Sequence, residues 1–178
     1  MEQSRAKHLE RIRHIRESFA EANERLVARL RRVDHTAAER HPEGGGWSAA
    51  QIGWHVAAVT TRFANLMSGD APGAQELPLD FVERAWKTID SEIPSKLQAP
   101  RSAEPPPKVS RDEAVAALEA SGLRLARALD VVTPERGTRF GISSPIVGGT
   151  ISVYQIGEWA AAHVIRHNRQ AKRVLGEG

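Results

Sequence analysis

The chain has 178 residues, 40% of them hydrophobic and 26% charged, with 25 Lys and Arg against 22 Asp and Glu for a formal charge of +3. This is ordinary globular composition, sufficient for one core and one domain, and the net charge is too small for a basic nucleic-acid footprint. Cysteine is absent, which excludes disulfides, iron–sulfur clusters, thiolate zinc sites and cysteine nucleophiles together.

The first nineteen residues carry charges throughout and contain no apolar stretch of the kind that marks a secretory signal. No run approaches the roughly 20 apolar residues needed to cross a bilayer. The expectation is a cytoplasmic protein with no membrane and no nucleic-acid partner. The cations of the opening segment, among them Arg5, Arg11, Arg16, Arg25 and Arg29, alternate with Glu10, Glu17, Glu21 and Glu24. Such mixing fits a solvated helix face better than a nucleic-acid surface.

Four long segments repeat apolar residues at helical spacing. The first carries Leu9, Ile12, Ile15, Phe19, Ala22, Leu26, Leu30 and Val33; Leu9 to Leu30 spans roughly 33 Å as helix. The turn His41-Pro-Glu-Gly-Gly-Gly46 then predicts that the first two long helices are antiparallel neighbours. The second opens on a capping box, Ser48-Ala-Ala-Gln51, and carries Ile52, Val56, Val59, Phe63 and Met67 before stopping near Gly69.

Residues 70–109 form a long link with seven of the ten prolines, in which Phe81 to Ile89 could make a short extra helix. A connection of that length within a domain is commonly functional or covers a site, and Phe81 and Trp86 are its expected apolar anchors beside the site. The third long segment opens on Ser110-Arg-Asp-Glu113 and carries Val115, Leu118, Leu125 and Leu129. Thr133 to Gly149 reads as irregular, with Gly148-Gly149 as a turn and no alternating strand pattern. The fourth opens on Ser152-Val-Tyr-Gln155, carries Ile156, Trp159, Ala160, Val164 and Val174, and ends before Gly176. The expected fold is all-α, a four-helix bundle with one long crossover between the second and third helices.

Seven histidines occur. His8, His14, His35 and His41 lie off the apolar stripe or near an end of the first helix, and read as surface residues. His55 lies on the inward face of the second helix, three after Ile52 and four before Val59. In His163-Val-Ile-Arg-His167 two imidazoles stand one turn apart on one face, continuing the stripe of the fourth helix. Three imidazoles directed at one core would cost roughly 1–3 kcal/mol each if left unsatisfied. Hydrogen bonding within the core is one resolution, and a shared metal is the other. The protease motif H-E-x-x-H is absent, since Val164 occupies its general-base position. Glu158 reads as a surface charge, Trp159 as core or pocket wall, and Trp47 as a hydrophobic staple.

Taken in order, these motifs resemble those of the DinB-like proteins. The resemblance rests on Gly46-Trp47-Ser48 with His55 seven residues on, and on Gly149-Thr-Ile-Ser152 leading to His163-x-x-Arg166-His167-x-x-Gln170. The link Ile93-Pro-Ser-Lys-Leu-Gln-Ala-Pro100, followed by Pro105, belongs to the same pattern. It covers most of residues 8–175, the core of a single DinB-like domain over 1–178.

The resemblance implies a four-helix bundle that holds a divalent metal through His55, His163 and His167, with Trp159, Arg166 and Gln170 beside the ligands. It further implies a metal-dependent hydrolase, or a transferase using a low-molecular-weight thiol, acting on a small molecule; homodimers are common in the family. All-nitrogen ligation suits zinc, nickel, iron or copper without choosing among them, the expected metal being zinc or nickel with iron next, and three neutral imidazoles leave a coordination position open. A non-catalytic, metal-stabilised binding protein is the alternative. No general base is assigned.

Overall fold

Three side chains that bend back onto their own backbone set the frame. Ser48, Ser110 and Ser152 each accept a hydrogen bond from the backbone N–H three residues on, while Gln51, Glu113 and Gln155 reach back to the capping residue's N–H. Each reciprocal pair satisfies two amides that a helix start would otherwise leave without partners. All three capping boxes read from the sequence therefore open helices. The computed structural model describes residues 2–92 and 99–177. The Ile93–Pro100 motif thus lies largely outside the described residues.

In chain order the helices are α1 (Glu2–Arg32), α2 (His35–Glu39), α3 (Ala49–Ser68), α4 (Trp86–Glu92), α5 (Arg111–Val131), α6 (Pro134–Arg139) and α7 (Val153–Val174). Three short strands, β1 (Gln75–Glu76), β2 (Phe140–Ser144) and β3 (Gly149–Ser152), form an antiparallel sheet in the order β1-β2-β3. The expected all-α class holds, and among the described residues this small sheet is the departure from it. No helix among the described residues is long and apolar enough to cross a membrane.

The four long helices pack in a ring, α1 against α7, α7 against α3, α3 against α5, and α5 against α1. Contacts along the helices give their directions. Arg11 meets Glu158 and Arg29 meets Asn168, so α1 and α7 run parallel. Phe63 stacks near Trp159 while His55 meets His163, so α3 and α7 run antiparallel. Arg124 donates to Asn65, and a Cβ on Gly53 would touch Ala114, so α3 and α5 run parallel. Parallel neighbours joined in sequence require a chain that returns along the whole bundle, and residues 70–109 make that crossover.

One expectation fails here. The helices α1 and α3 run antiparallel as expected, but they are diagonal in the ring rather than neighbours, with α2 between them in the chain. Asp34 caps α2 by accepting from the Ala37 N–H. The core joins all four long helices through Ile15, Leu26, Leu30, Ile52, Leu118, Leu125 and Ile156, each at most 1% exposed. Full burial of such a side chain contributes roughly 1.5–3 kcal/mol. Leu9, placed on the inward stripe by its spacing, is instead 56% exposed near the free start of α1.

The stretch from Thr133 to Gly149 is also more regular than its sequence indicates. Thr133 caps α6, and β2 pairs with β3 through Ile142 opposite Ile151 and Ser143 opposite Thr150. A Cβ on Gly141 would lie 2.1 Å from the Ile151 carbonyl oxygen, so only glycine permits this approach. Burial along β2 and β3 does not alternate, which is why no period of two appears in the sequence. The turn at Gly148-Gly149 is present, both residues having positive φ.

Candidate metal centre

Three imidazoles meet where the first half of α3 crosses the second half of α7. His55 lies two turns into α3 and is 5% exposed. His163 and His167 stand one turn apart on α7 and are half-buried. Ring centroids are 5.1 Å apart for His55 and His163, 4.7 Å for His55 and His167, and 4.4 Å for the α7 pair. One nitrogen from each ring lies within 4.8 Å of the other two. The structure thus brings together the three histidines that the sequence singled out.

Hydrogen bonds fix two of the tautomers. His55 Nδ1 lies 2.7 Å from the Ala103 carbonyl oxygen, and His167 Nδ1 lies 2.8 Å from Gln170 Oε1. The Ala103 carbonyl can only accept, so His55 Nδ1 carries the proton and its Nε2 keeps the lone pair; with the Gln170 amide turned Oε1-first to the ring, His167 takes the same tautomer. His163 Nε2 is 3.2 Å from His55 Nε2. A single N–H on His163 can satisfy one of those lone pairs and not both. His163 Nδ1 is buried without a hydrogen-bond partner among the described residues. Protein–protein bonding therefore leaves this donor set incomplete, whereas a divalent cation accepts all three nitrogens. The residues fit a metal.

The surroundings favour neutral rings. Burial pushes His163 well below the usual imidazole range, with the neighbouring His167, His55 and Arg166 charges adding to it. Burial likewise lowers His167 to about 4, and lowers His55 against the opposing hydrogen bond to Ala103. Neutral imidazole is the form that ligates. Trp47 lies against His55 with ring centroids 4.8 Å apart, so it walls the site as well as opening the helix. Trp159 packs on Phe63 at 4.9 Å, one turn before His163. Arg166 is exposed, and Gln170 is the residue bonded to His167.

Other assignments change. Glu158 is no simple surface charge: it accepts from Arg11 Nε at 2.8 Å and from the Trp86 indole N–H. Arg11 also pairs with Glu83 at 2.8 Å, and Glu83 accepts from Ser152 Oγ. This cluster clasps the start of the crossover to α1 and α7. Trp86 is accordingly anchored there and not on the rim of the histidine site, and Ile89, fully buried, is the deeper apolar anchor. His8, expected at the surface, is half-buried with Nδ1 2.6 Å from the Tyr154 hydroxyl. His14, His35 and His41 are exposed as expected.

The crossover does reach the histidines, but by its far end. Its final residues supply the Ala103 carbonyl, and Gln51 Nε2 donates to the carbonyl oxygens of Pro106 at 2.9 Å and Pro107 at 3.3 Å. A backbone carbonyl has no side-chain signature, so sequence could not identify Ala103.

No curated protein matches the chain significantly. A family model described as the DinB superfamily matches residues 18–171, spanning both halves of α3 and α7 that meet at the histidines. With the bundle, the crossover and the three-histidine cluster in agreement with that match, the chain belongs to the DinB superfamily.

Proposed function

We propose that this protein is a metal-dependent enzyme, a hydrolase or a small-thiol-dependent S-transferase, built on one divalent ion held by His55, His163 and His167. The observation that carries the reading is the donor set itself, three ring nitrogens within 4.8 Å of one another in a site where burial keeps them neutral. Three imidazoles suit zinc, nickel, iron or copper, and zinc or nickel is the ion we expect, with iron next. Such an ion supplies Lewis acidity at its open position, lowering the pKa of a water toward about 7 or holding a thiol as thiolate. The superfamily match supports the reading, because metal-dependent enzymes occur in that superfamily.

The chain's own groups contribute orientation and exclusion. Ala103 and Gln170 aim two rings through their Nδ1–H groups. Trp47, Phe63 and Trp159 enclose the rings in apolar surface, which restricts water and strengthens electrostatic interactions inside. A small-molecule substrate is the expected partner.

Elemental analysis of tag-free protein purified without chelator tests the metal, with about one divalent ion per chain expected. His163→Ala should lose it. Wild-type protein that binds neither zinc nor nickel at stoichiometric concentration would overturn the proposal. Activity then separates the classes. A Co(II)-loaded thiol transferase should give a thiolate-to-metal charge-transfer band on adding a small thiol, and the chain has no cysteine of its own to produce it. A hydrolase should cleave an activated ester with a rate rising near pH 7 and show no such band at stoichiometric thiol. Metal-loaded protein silent in both assays would be a metal-stabilised binding protein.

A further inference from the structure

The three rings are not held alike. His55 leans on a backbone carbonyl from the crossover, His167 on the side chain of Gln170, and His163 Nδ1 has no partner among the described residues. We propose that Gln170 is a positioning residue that holds His167 in its Nδ1–H tautomer, so that Nε2 is the nitrogen presented to the metal. The proposal rests on the three-histidine reading above and assigns one side chain's part in it.

The argument begins with helix spacing. His163, His167 and Gln170 sit at i, i+4 and i+7 of α7, on one face. Gln170 is thus one turn beyond His167, where its amide can reach back to the ring. The distance from its Oε1 to His167 Nδ1, 2.8 Å, is that of a good N–H···O bond. With its oxygen facing the ring the amide accepts from Nδ1–H, and in that orientation the contact favours one tautomer as well as one ring position.

That selection opposes the ring's own preference. A free neutral histidine side chain in water favours the Nε2–H tautomer, which places the proton where the metal must bind. Without Gln170, His167 would have to move that proton before ligating, and the ring would be free to turn about its side-chain torsions. His55 is protected from this by Ala103. His163 is confined instead by packing, with the Phe63 ring 6.4 Å away in an edge arrangement and His167 4.4 Å away. Removal of Gln170 should therefore act on His167 and leave the supports of the other two rings in place. Loss of such an orienting partner typically weakens metal binding by about 10- to 100-fold.

Long-range proton–nitrogen correlation spectra of protein labelled at histidine nitrogen read the tautomer directly, with the His167 signals assigned from His167→Ala. In the metal-free wild type at neutral pH, His167 should be protonated at Nδ1. In Gln170→Ala and in the length-preserving Gln170→Met, it should shift to the Nε2–H form. Zinc affinity, measured by competition with a chromophoric chelator, should fall by about 10- to 100-fold in both variants. Gln170→Glu should restore the tautomer and most of the affinity, since a carboxylate oxygen accepts the same bond. An Nε2–H tautomer in the wild type would overturn the proposal. So would unchanged tautomer and affinity in Gln170→Ala while wild type binds zinc and His163→Ala does not. Failure of the wild type to bind zinc would instead overturn the metal reading, and the metal-free spectra would still decide the role of Gln170.

Discussion

The imidazole Nδ1 of His55 on α3 lies 2.7 Å from the carbonyl oxygen of Ala103, at the far end of the crossover. This bond joins the candidate metal centre to a segment that the helices alone would not fix. Ala103 is buried, and its own N–H donates to the Pro100 carbonyl in a short turn. The ring and the turn therefore hold one another, and what stabilises one stabilises the other.

Metal loading should accordingly protect the end of the crossover. A ligand that binds only the folded site adds stability set by its concentration relative to its dissociation constant, and local opening that breaks the site must overcome it. Amide hydrogen exchange at Ala103 and Glu104 should slow by about ten-fold or more on adding saturating zinc. Equal exchange with and without metal would show that the turn and the site are independent.

Gln51→Glu tests the same coupling from the other side. Glutamate keeps the acceptor that completes the capping box with Ser48, but loses the N–H donors directed at Pro106 and Pro107. The helix start should survive while the crossover end loosens. Zinc affinity should drop by about ten-fold, with helical circular dichroism unchanged. A variant that binds metal like wild type would place the crossover outside the determinants of affinity.

The metal-free protein should lose stability as pH falls from about 6.5 toward 4. Burial is the main cause of the lowered pKa of His163, His167 and His55, and His167 is lowered to about 4. The unfolded chain, with histidines near 6.5, takes up protons first, so unfolding is favoured across that window. The contribution is fully present above about 6.5, falls as pH drops below it, and is lost once pH reaches the folded value. For His167 alone the difference is on the order of 3 kcal/mol. Urea midpoints of metal-free protein at pH 7 and pH 4.5 should show it, and His167→Ala should flatten the dependence.

Glu158→Ala should destabilise without touching the metal. The carboxylate joins Arg11 on α1 to Trp86 on the crossover, and its loss leaves the half-buried indole N–H without that acceptor. The cost should be about 1–3 kcal/mol, with Arg11 still paired to Glu83. Zinc stoichiometry should stay at the wild-type value. Loss of zinc in this variant would mean that the two clusters on α7 are coupled.

Much of this architecture is legible in the sequence because its signals are local. Ser48, Ser110 and Ser152 announce three helix starts through chemistry contained within four residues. His55, His163 and His167 announce themselves by phase, each continuing an inward stripe. What is not legible depends on contacts distant in the chain. The diagonal placement of α1 and α3 is decided by packing against α5 and α7, not by the Gly-rich turn between them. The β2–β3 pair shows no regular alternation of burial, so its sequence carries no period of two to read. Glu158 looks solvated until Arg11 and Trp86, 147 and 72 residues away, arrive beside it.

Gly53→Ala sets two effects of known size against each other at one position. Gly53 is interior to α3, where alanine would favour the helix by about 1 kcal/mol. A Cβ there would meet Leu30 Cδ1 at 2.9 Å, Ala114 Cβ at 3.3 Å and Leu118 Cδ1 at 3.4 Å. Leu30, Ala114 and Leu118 are all 0% exposed, so none can retreat into solvent. Overpacking of this kind costs about 1–3 kcal/mol, which outweighs the gain in helix propensity. Relief requires α3 to shift against both α1 and α5, and His55 is only two residues further along α3. The variant should therefore be less stable by about 1 kcal/mol and bind zinc more weakly than wild type. Thermal unfolding of the metal-free protein and chelator competition measure the two effects separately. A Gly53→Ala protein at least as stable as wild type would show that α1, α3 and α5 have room to adjust, and that close approach at Gly53 does not set the position of His55.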